Sequence, residues 1–424
     1  MTIVFAQHIT PRLDYIAKTI LGRDVIITKD VHRFINSSLQ KINYSTTKLD
    51  DESLWIKPYG LLEQKGIENA DITCFDWNGV TVIFKTNGDI PFDILSASFY
   101  LLSRYEEYTT NFKTDAYGNY HHENSIAFKN NFLHLPLINL WLKALENHST
   151  FNIQHSTFSI VPTYDIDIAF AYKHHSFIRN LGGFIKDIVH QRGSFFERLN
   201  VLLNNRKDPY NEFDWLEILH KKYQLQPIYF FLVAMQRSKY DKNAIYNSKG
   251  MLGLIKKLSK QNKIGIHPSY VSNSNCNILK KEIEFLASAS YQNISNSRQH
   301  YLQLGFPKTF EILIKLDITA DYTMGYGTSN GFRASYCKPF FWYNLNEEKT
   351  TNLLLYPFCY MDSNSIFEQT LSPEKAVQEM LHYYNTVKSV DGDFAFIMHN
   401  HFLATQPQWQ QWREAYTDFL QLIN

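Results

Sequence analysis

Pro162-Thr163-Tyr164-Asp165-Ile166-Asp167 follows directly on the apolar run Phe158-Ser159-Ile160-Val161. Side chains alternate faces along a strand, so Asp165 and Asp167 point the same way if this run is one. Two like charges side by side must be compensated by a cation, a proton or water. A metal site is one answer and a solvated strand end the other. These six residues leave both open.

Downstream of this stretch, strand-like and helix-like segments alternate. The strand candidates are Phe158–Asp167, Pro227–Val233, Lys263–Tyr270, Ile294–Leu302, Ile318–Tyr326, Asn352–Asp362 and Asp393–His401. Helical patterns separate or follow them at 212–222, 248–262, 277–290, 307–316, 373–389 and 406–422. Such alternation points to an α/β fold, here a distorted (β/α) barrel of about seven strands spanning 155–424. Residues 171–211 are an extra segment after the first strand. Its amphipathic run Phe184–Leu203 suits a lid over the barrel mouth or ordinary packing against the barrel side.

Residues 1–150 form a smaller, mixed α/β accessory unit, with short strands at Val4–Phe5, Asp24–Thr28 and Gly79–Lys85. Asp93 is a candidate N-cap for a helix over Ile94–Tyr108, and a second helix covers Pro136–Glu146. His121-His122-Glu123 has the look of a ligand cluster but lies in a polar loop. The chemistry is expected in the C-terminal unit.

The 424 residues carry 42 Lys and Arg against 41 Asp and Glu, which gives no electrostatic case for nucleic acid. With 27 Tyr and 31 Phe, aromatic packing and sugar-facing platforms are both open. The start, MTIVFAQHITPRLDY, lacks the basic and apolar regions of a secretory signal, and no apolar run is long enough for a transmembrane segment. Cys74, Cys276, Cys337 and Cys359 are scattered and fit reduced thiols. A cytoplasmic location is the expectation.

The polar residues collect at the strand ends. Asp165 and Asp167 end the first candidate, His267 comes late in the third, Arg298 and His300 in the fourth, and Asp321 and Thr323 in the fifth. Asp362 ends the sixth, and His399 comes late in the seventh. Barrel active sites assemble from several strands at their C-terminal ends. Two imidazoles and a carboxylate suit Zn²⁺ with a position left open, and such an ion lowers the pKa of water and polarises a carbonyl. A carboxylate outside the ligand set can act as base and a separate His as acid. This is metal-assisted hydrolysis of an amide or ester.

These residues resemble the polysaccharide deacetylases, the NodB homology domain of the family-four carbohydrate esterases. Thr163-Tyr164-Asp165-Ile166-Asp167 is similar to the family's first motif, with one residue inserted between the carboxylates. His267-Pro268-Ser269-Tyr270 aligns with the second, Ser297-Arg298-Gln299-His300 with the third and Asp321-Tyr322-Thr323-Met324-Gly325-Tyr326 with the fourth. Phe396-Ile397-Met398-His399-Asn400 matches the fifth. A bacterial subgroup with an extra N-terminal domain is resembled through Leu101-Leu102-Ser103-Arg104-Tyr105-Glu106-Glu107-Tyr108 and Gly331-Phe332-Arg333-Ala334.

The resemblance implies a divalent metal, most readily zinc, on Asp167 and His267, with Asp165 as base and His399 as general acid. Arg298 would orient Asp165, and Asp321 would support His399 or Arg298. The family's second motif has a further His four residues on, where this chain has Val271; His300 is the candidate third ligand. Arg333, Tyr270 and Tyr326 are candidate substrate-binding residues, Arg333 being equally suited to a structural ion pair. The implied reaction removes acetyl from an N-acetylated sugar, in the making of surface polysaccharide, with a nucleotide- or lipid-linked precursor as the expected substrate. The alternatives are a carbohydrate-binding protein that has lost catalysis on the same barrel, and a metal-dependent hydrolase of another C–N amide bond.

Overall fold

The computed structural model describes residues 1–68, 72–108, 111–148, 157–189 and 194–424. The expected boundary near 150–155 and part of the run Phe184–Leu203 lie outside them. Four strands, β1 (Thr2–Ala6), β2 (Ile26–Thr28), β3 (Gln40–Tyr44) and β4 (Leu54–Ile56), form a parallel sheet in the order β2-β1-β3-β4. A hairpin of β5 (Phe75–Trp77) and β6 (Val80–Val82) follows. Asp93 caps the helix Ile94–Leu102 through the backbone N–H groups of Leu95 and Ser96. After two intervening residues, Tyr105–Tyr108 form a tighter turn, so the expected helix is shorter and broken.

The second sheet contains β7 (Ser159–Ile166), β8 (Ile228–Phe231), β9 (Lys263–Ile266), β10 (Asn296–Ser297) and β11 (Ala320–Asp321). It continues with β12 (Phe340–Asn344), β13 (Lys349–Leu355), β14 (Tyr360–Met361) and β15 (Asp393–His399). Their order is β12-β13-β11-β10-β9-β8-β7-β15-β14, parallel throughout except for the β12–β13 hairpin. The fold is thus mixed α/β. Two strands differ from expectation. The stretch Asn352–Asp362 is split, because Pro357 between β13 and β14 has no N–H to give a ladder. The antiparallel β12 was not expected; its residues are buried on nearly every side and carry no alternation.

The nine-stranded ladder is open at β12 and β14, yet the sheet is strongly curled. Flat strands lie about 4.8 Å apart, so β7 and β10 would stand about 14 Å apart. Nevertheless Arg298, just past β10, donates from Nη1 to Thr163 Oγ1 at 2.7 Å and to Asp165 Oδ1 at 3.0 Å on β7. Ile228 and Phe230 of β8 likewise pack on Ala320 of β11 and Tyr322. Phe358 N–H, leading into β14, donates to the Met324 carbonyl at 3.1 Å.

One hydrophobic core runs through both units. The helix Pro11–Ile20 lies against β12 and β13, with the Tyr15 and Tyr343 rings 5.0 Å apart. Arg12 pairs with Glu348 across the same contact. Among the described residues no helix is long and apolar enough to cross a membrane.

Candidate metal centre and active site

The register of the curled sheet brings the polar residues into one layer. Asp165 on β7 pairs with His399 on β15, and Ser297 on β10 pairs with Asp321 on β11. Asp167 sits one residue past β7, His267 one past β9, and Asp362 one past β14. Alternation sorts β7 itself. Thr163 and Asp165 face the concave side, while the Tyr164 hydroxyl meets His220 Nε2 at 2.8 Å on the helix side.

Asp167, His267 and His300 present one ligand atom each, all within 4.8 Å of one another. His267 Nε2 is 3.1 Å and His300 Nε2 is 3.8 Å from Asp167 Oδ1. His267 Nδ1 lies 2.6 Å from the Arg298 carbonyl. A carbonyl only accepts, so Nδ1 carries the proton and Nε2 turns a lone pair toward Asp167. Asp167 Oδ1 is buried without a hydrogen-bond partner. A lone pair facing a carboxylate oxygen is satisfied by a second ring proton or by a shared cation, and this donor set fits a divalent ion such as zinc. The field at the site has the same preference. Burial alone would raise the Asp167 carboxyl, but His300, His267 and His399 hold it well below the usual range.

Because Val271 cannot be a ligand, the sequence offers His300 as the third. Its delivery depends on an unusual turn: Tyr301 and Leu302 have φ of 56° and 50°. Non-glycine residues adopt this left-handed region at a cost and persist there only where the surroundings fix them. Asn119 Nδ2, from the N-terminal unit, donates to the Tyr301 carbonyl at 3.0 Å. Behind the ring, His300 Nδ1 lies 3.3 Å from Asp241 Oδ1, off the line of a hydrogen bond. Asp241 is itself fixed by N–H donation from Tyr270 and by Ser238. A carboxylate behind an imidazole ligand orients it.

Residues 2–150 match the model of a "Family of unknown function (DUF7033)". No curated protein matches the sequence. Among solved structures, a probable polysaccharide deacetylase from Pseudomonas aeruginosa PAO1 is 11% identical, with a TM-score of 0.42 over 64% of this chain and 88% of that one. The polysaccharide deacetylase Bc1974 from Bacillus cereus is 9% identical, with a TM-score of 0.32 over 63% of this chain and 89% of that one. A mutant of a CE4 family pseudoenzyme is 11% identical, with a TM-score of 0.31 over 66% and 69%. At such scores the functional reading rests on the site itself.

Two further groups flank the cluster. Asp165 is buried, its Oδ1 held by Arg298 and its Oδ2 3.9 Å from His267 Nε2. On the other side, His399 Nε2 is 3.5 Å from Asp167 Oδ2, and His399 Nδ1 lies 2.6 Å from Asp362 Oδ1. Asp362 Oδ2 also accepts the His399 backbone N–H at 2.6 Å. Burial would lower the His399 ring, but Asp362 outweighs it and pushes the ring up to about 9. His399 is therefore a cation near neutral pH.

A cavity of about 660 Å³ opens over these groups. Asp165, Asp167, His267, His300 and His399 line its floor, and Tyr117, Tyr240, Tyr301, Phe367 and Phe402 its walls. Tyr117 stacks on Tyr301 with ring centroids 4.2 Å apart. The N-terminal unit contributes to these walls, since Lys113–Tyr117 and His121 all line the cavity. Asp241 and the Tyr117 wall were missed, because each acts from a loop whose place is set by distant chain segments.

Several candidates fall elsewhere. Asp321 is held by Ser297 Oγ at 2.6 Å and by Thr323 Oγ1 at 2.9 Å. The carboxylate on His399 is Asp362, and Asp321 braces the loop carrying Arg298 through Thr323, whose Oγ1 accepts the Gln299 N–H. Arg333 and Tyr326 are buried outside the cavity. Arg333 forms a bidentate pair with Glu107, at 2.9 and 2.5 Å, and Tyr326 Oη accepts from Arg104 at 3.1 Å. The stretches Leu101–Tyr108 and Gly331–Ala334 thus meet in a buried ion-pair cluster around Glu107. Tyr270 lies one ring behind the wall, stacked on Tyr240 at 4.2 Å. His121, His122 and Glu123 also bring ligand atoms within 4.8 Å, but Lys113 occupies Glu123 and Thr328 occupies His122. Among the described residues of 171–211 none lines the cavity.

Proposed function

We propose that the protein is a metal-dependent deacetylase acting on an N-acetylated sugar. One observation carries this reading. A buried carboxylate fixed by Arg298 and a carboxylate-backed imidazolium each stand within 4 Å of a three-ligand cluster at the floor of a single cavity. A divalent ion held by Asp167, His267 and His300 would supply Lewis-acid chemistry toward the acetamide carbonyl and its attacking water.

The remaining work falls to the protein. Arg298, itself anchored on Thr163, holds Asp165 through Oδ1, which leaves Oδ2 to take a proton from the attacking water. His399, kept charged by Asp362, gives its Nε2 proton to the departing nitrogen, which leaves as the amine of the sugar. Protons then balance, one to Asp165 and one from His399. Tyr117, Tyr240 and Tyr301 offer aromatic faces to the apolar side of a sugar ring. The cavity volume fits one or two sugar residues better than an extended polymer chain.

The test is acetate release. Purified protein loaded with zinc or cobalt is incubated with a panel of N-acetylated sugars and sugar conjugates. Release from at least one, abolished by Asp165→Asn, is expected. No release from any, or release that survives Asp165→Asn, contradicts the reading.

A further inference from the structure

The pair of helices that follows β7, Phe177–Val189 and Ser194–Leu202, is turned inside out. At 3.6 residues per turn, Phe177, Ile178, Leu181, Ile185 and Ile188 fall within one stripe of about 100°. All five face solvent, Phe177 and Ile178 at 80% exposure each and Ile188 at 62%. Asn180 and Asp187 of the same helix face the protein. Asn180 donates to the Tyr172 carbonyl, and buried Asp187 accepts from Ser194 and Arg198. Phe196, at 71%, with Leu199 and Leu203 extends the apolar surface from the second helix. Helices of soluble proteins have the opposite arrangement, and exposed apolar side chains normally occur singly.

The charges around this face are sorted by sign. Every acid of the segment is turned inward: Asp187 as above, Glu197 onto Tyr172 and Gln406, and Asp208 onto the N–H groups of Ala171, Tyr172 and Lys173. Lys186, Arg206 and Lys207 are exposed, Arg206 standing 3.8 Å from Glu197 and Lys207 3.0 Å from Glu212. Among the described residues of 171–210 there are six Lys or Arg and three Asp or Glu, in a chain that is otherwise balanced. The segment also adjoins the cavity mouth. Arg179 donates to the backbone carbonyl of Lys242, and Lys242 lines the cavity.

We infer that this helical hairpin docks the protein onto an anionic lipid surface. Its apolar stripe enters the headgroup boundary, and its outward cations meet the phosphates. Given the deacetylase reading, on which this corollary rests, docking presents the cavity to an N-acetylated sugar carried at the bilayer surface.

The experiment is co-sedimentation of the full-length protein with vesicles of phosphatidylcholine alone and of phosphatidylcholine with phosphatidylglycerol. Binding to the anionic vesicles is expected, weaker by about tenfold in high salt or without phosphatidylglycerol. The double variant Ile178→Asp/Ile185→Asp should lose it, with an unchanged circular dichroism spectrum and unchanged acetate release from a soluble substrate. The inference is overturned if the wild type ignores anionic vesicles or if the double variant binds as well as the wild type. It is also overturned if light scattering finds a wild-type dimer that the variant breaks without any vesicle binding, since a second copy would then cover the face. Vesicle binding requires no catalysis, so it stands or falls separately from acetate release.

Discussion

Asp362→Asn removes the charge that keeps His399 protonated while leaving an oxygen to accept the His399 backbone N–H. In the wild type the ring is pushed up to about 9 from 6.5. That difference is worth about 3 kcal/mol in favour of the charged ring. Burial works against the charge, Asp362 at 2.6 Å is the largest opposing influence, and Asp167 and Asp165 contribute less. Without Asp362 the burial penalty dominates, so the alkaline limb of kcat/KM for acetate release should move down by about two pH units. Stability carries the same signature. A His raised in the folded state contributes stability that is fully present below its unfolded value and lost as pH rises through the folded value. Chelator-treated wild type should therefore lose about 2–3 kcal/mol between about pH 6.5 and 9, and Asp362→Asn should lose little of this. The reasoning is refuted if the variant keeps the wild-type alkaline limb and the wild-type loss of stability.

Glu107→Ala strands Arg333 in the interior and leaves Arg104 with Glu106 alone, and denaturant unfolding should register about 3–5 kcal/mol of lost stability; a loss below about 1 kcal/mol contradicts the buried-pair account. Burial raises the Glu107 carboxyl but Arg333 and Arg104 outweigh it, so its contribution is present above about pH 4.3 and disappears as pH falls through the lower folded value. Tyr117→Ala should raise KM about fivefold, near 1 kcal/mol, while kcat changes little; an unchanged KM removes the N-terminal wall from substrate binding. Asp241→Ala frees the His300 ring and should weaken zinc affinity about 10- to 100-fold in a chelator competition; equal affinity denies Asp241 its orienting role.

Much of this was legible in the chain because the signals were local. Thr163, Asp165 and Asp167 lie within five residues, so alternation alone set their common face. A helix start was readable where a cap marked it, as at Asp93. Thr10 before Pro11 carried the same signal for the helix Pro11–Ile20, where it went unused. What escaped was set by tertiary contact. Arg333 has the same local look whether it binds a sugar oxygen or Glu107, and only the fold brings Glu107 to it across 226 positions. Tyr117 becomes a cavity wall because the N-terminal unit folds over the sheet ends. Asp321 and Asp362 are both carboxylates at strand ends, and which of them meets His399 follows from β14 lying next to β15 while β11 lies beside β10.

The central claim is that Asp167, His267 and His300 together hold one divalent ion. Calorimetric titration of metal-free protein with zinc near neutral pH, for the wild type and for His300→Ala, tests it most directly. One ion per chain in the wild type, with X-ray absorption placing two nitrogens and one carboxylate oxygen at about 2.0–2.2 Å, is the expected result, with affinity sharply reduced in the variant. A wild type that takes up no stoichiometric zinc, or a His300→Ala protein that binds it equally well, would contradict the account.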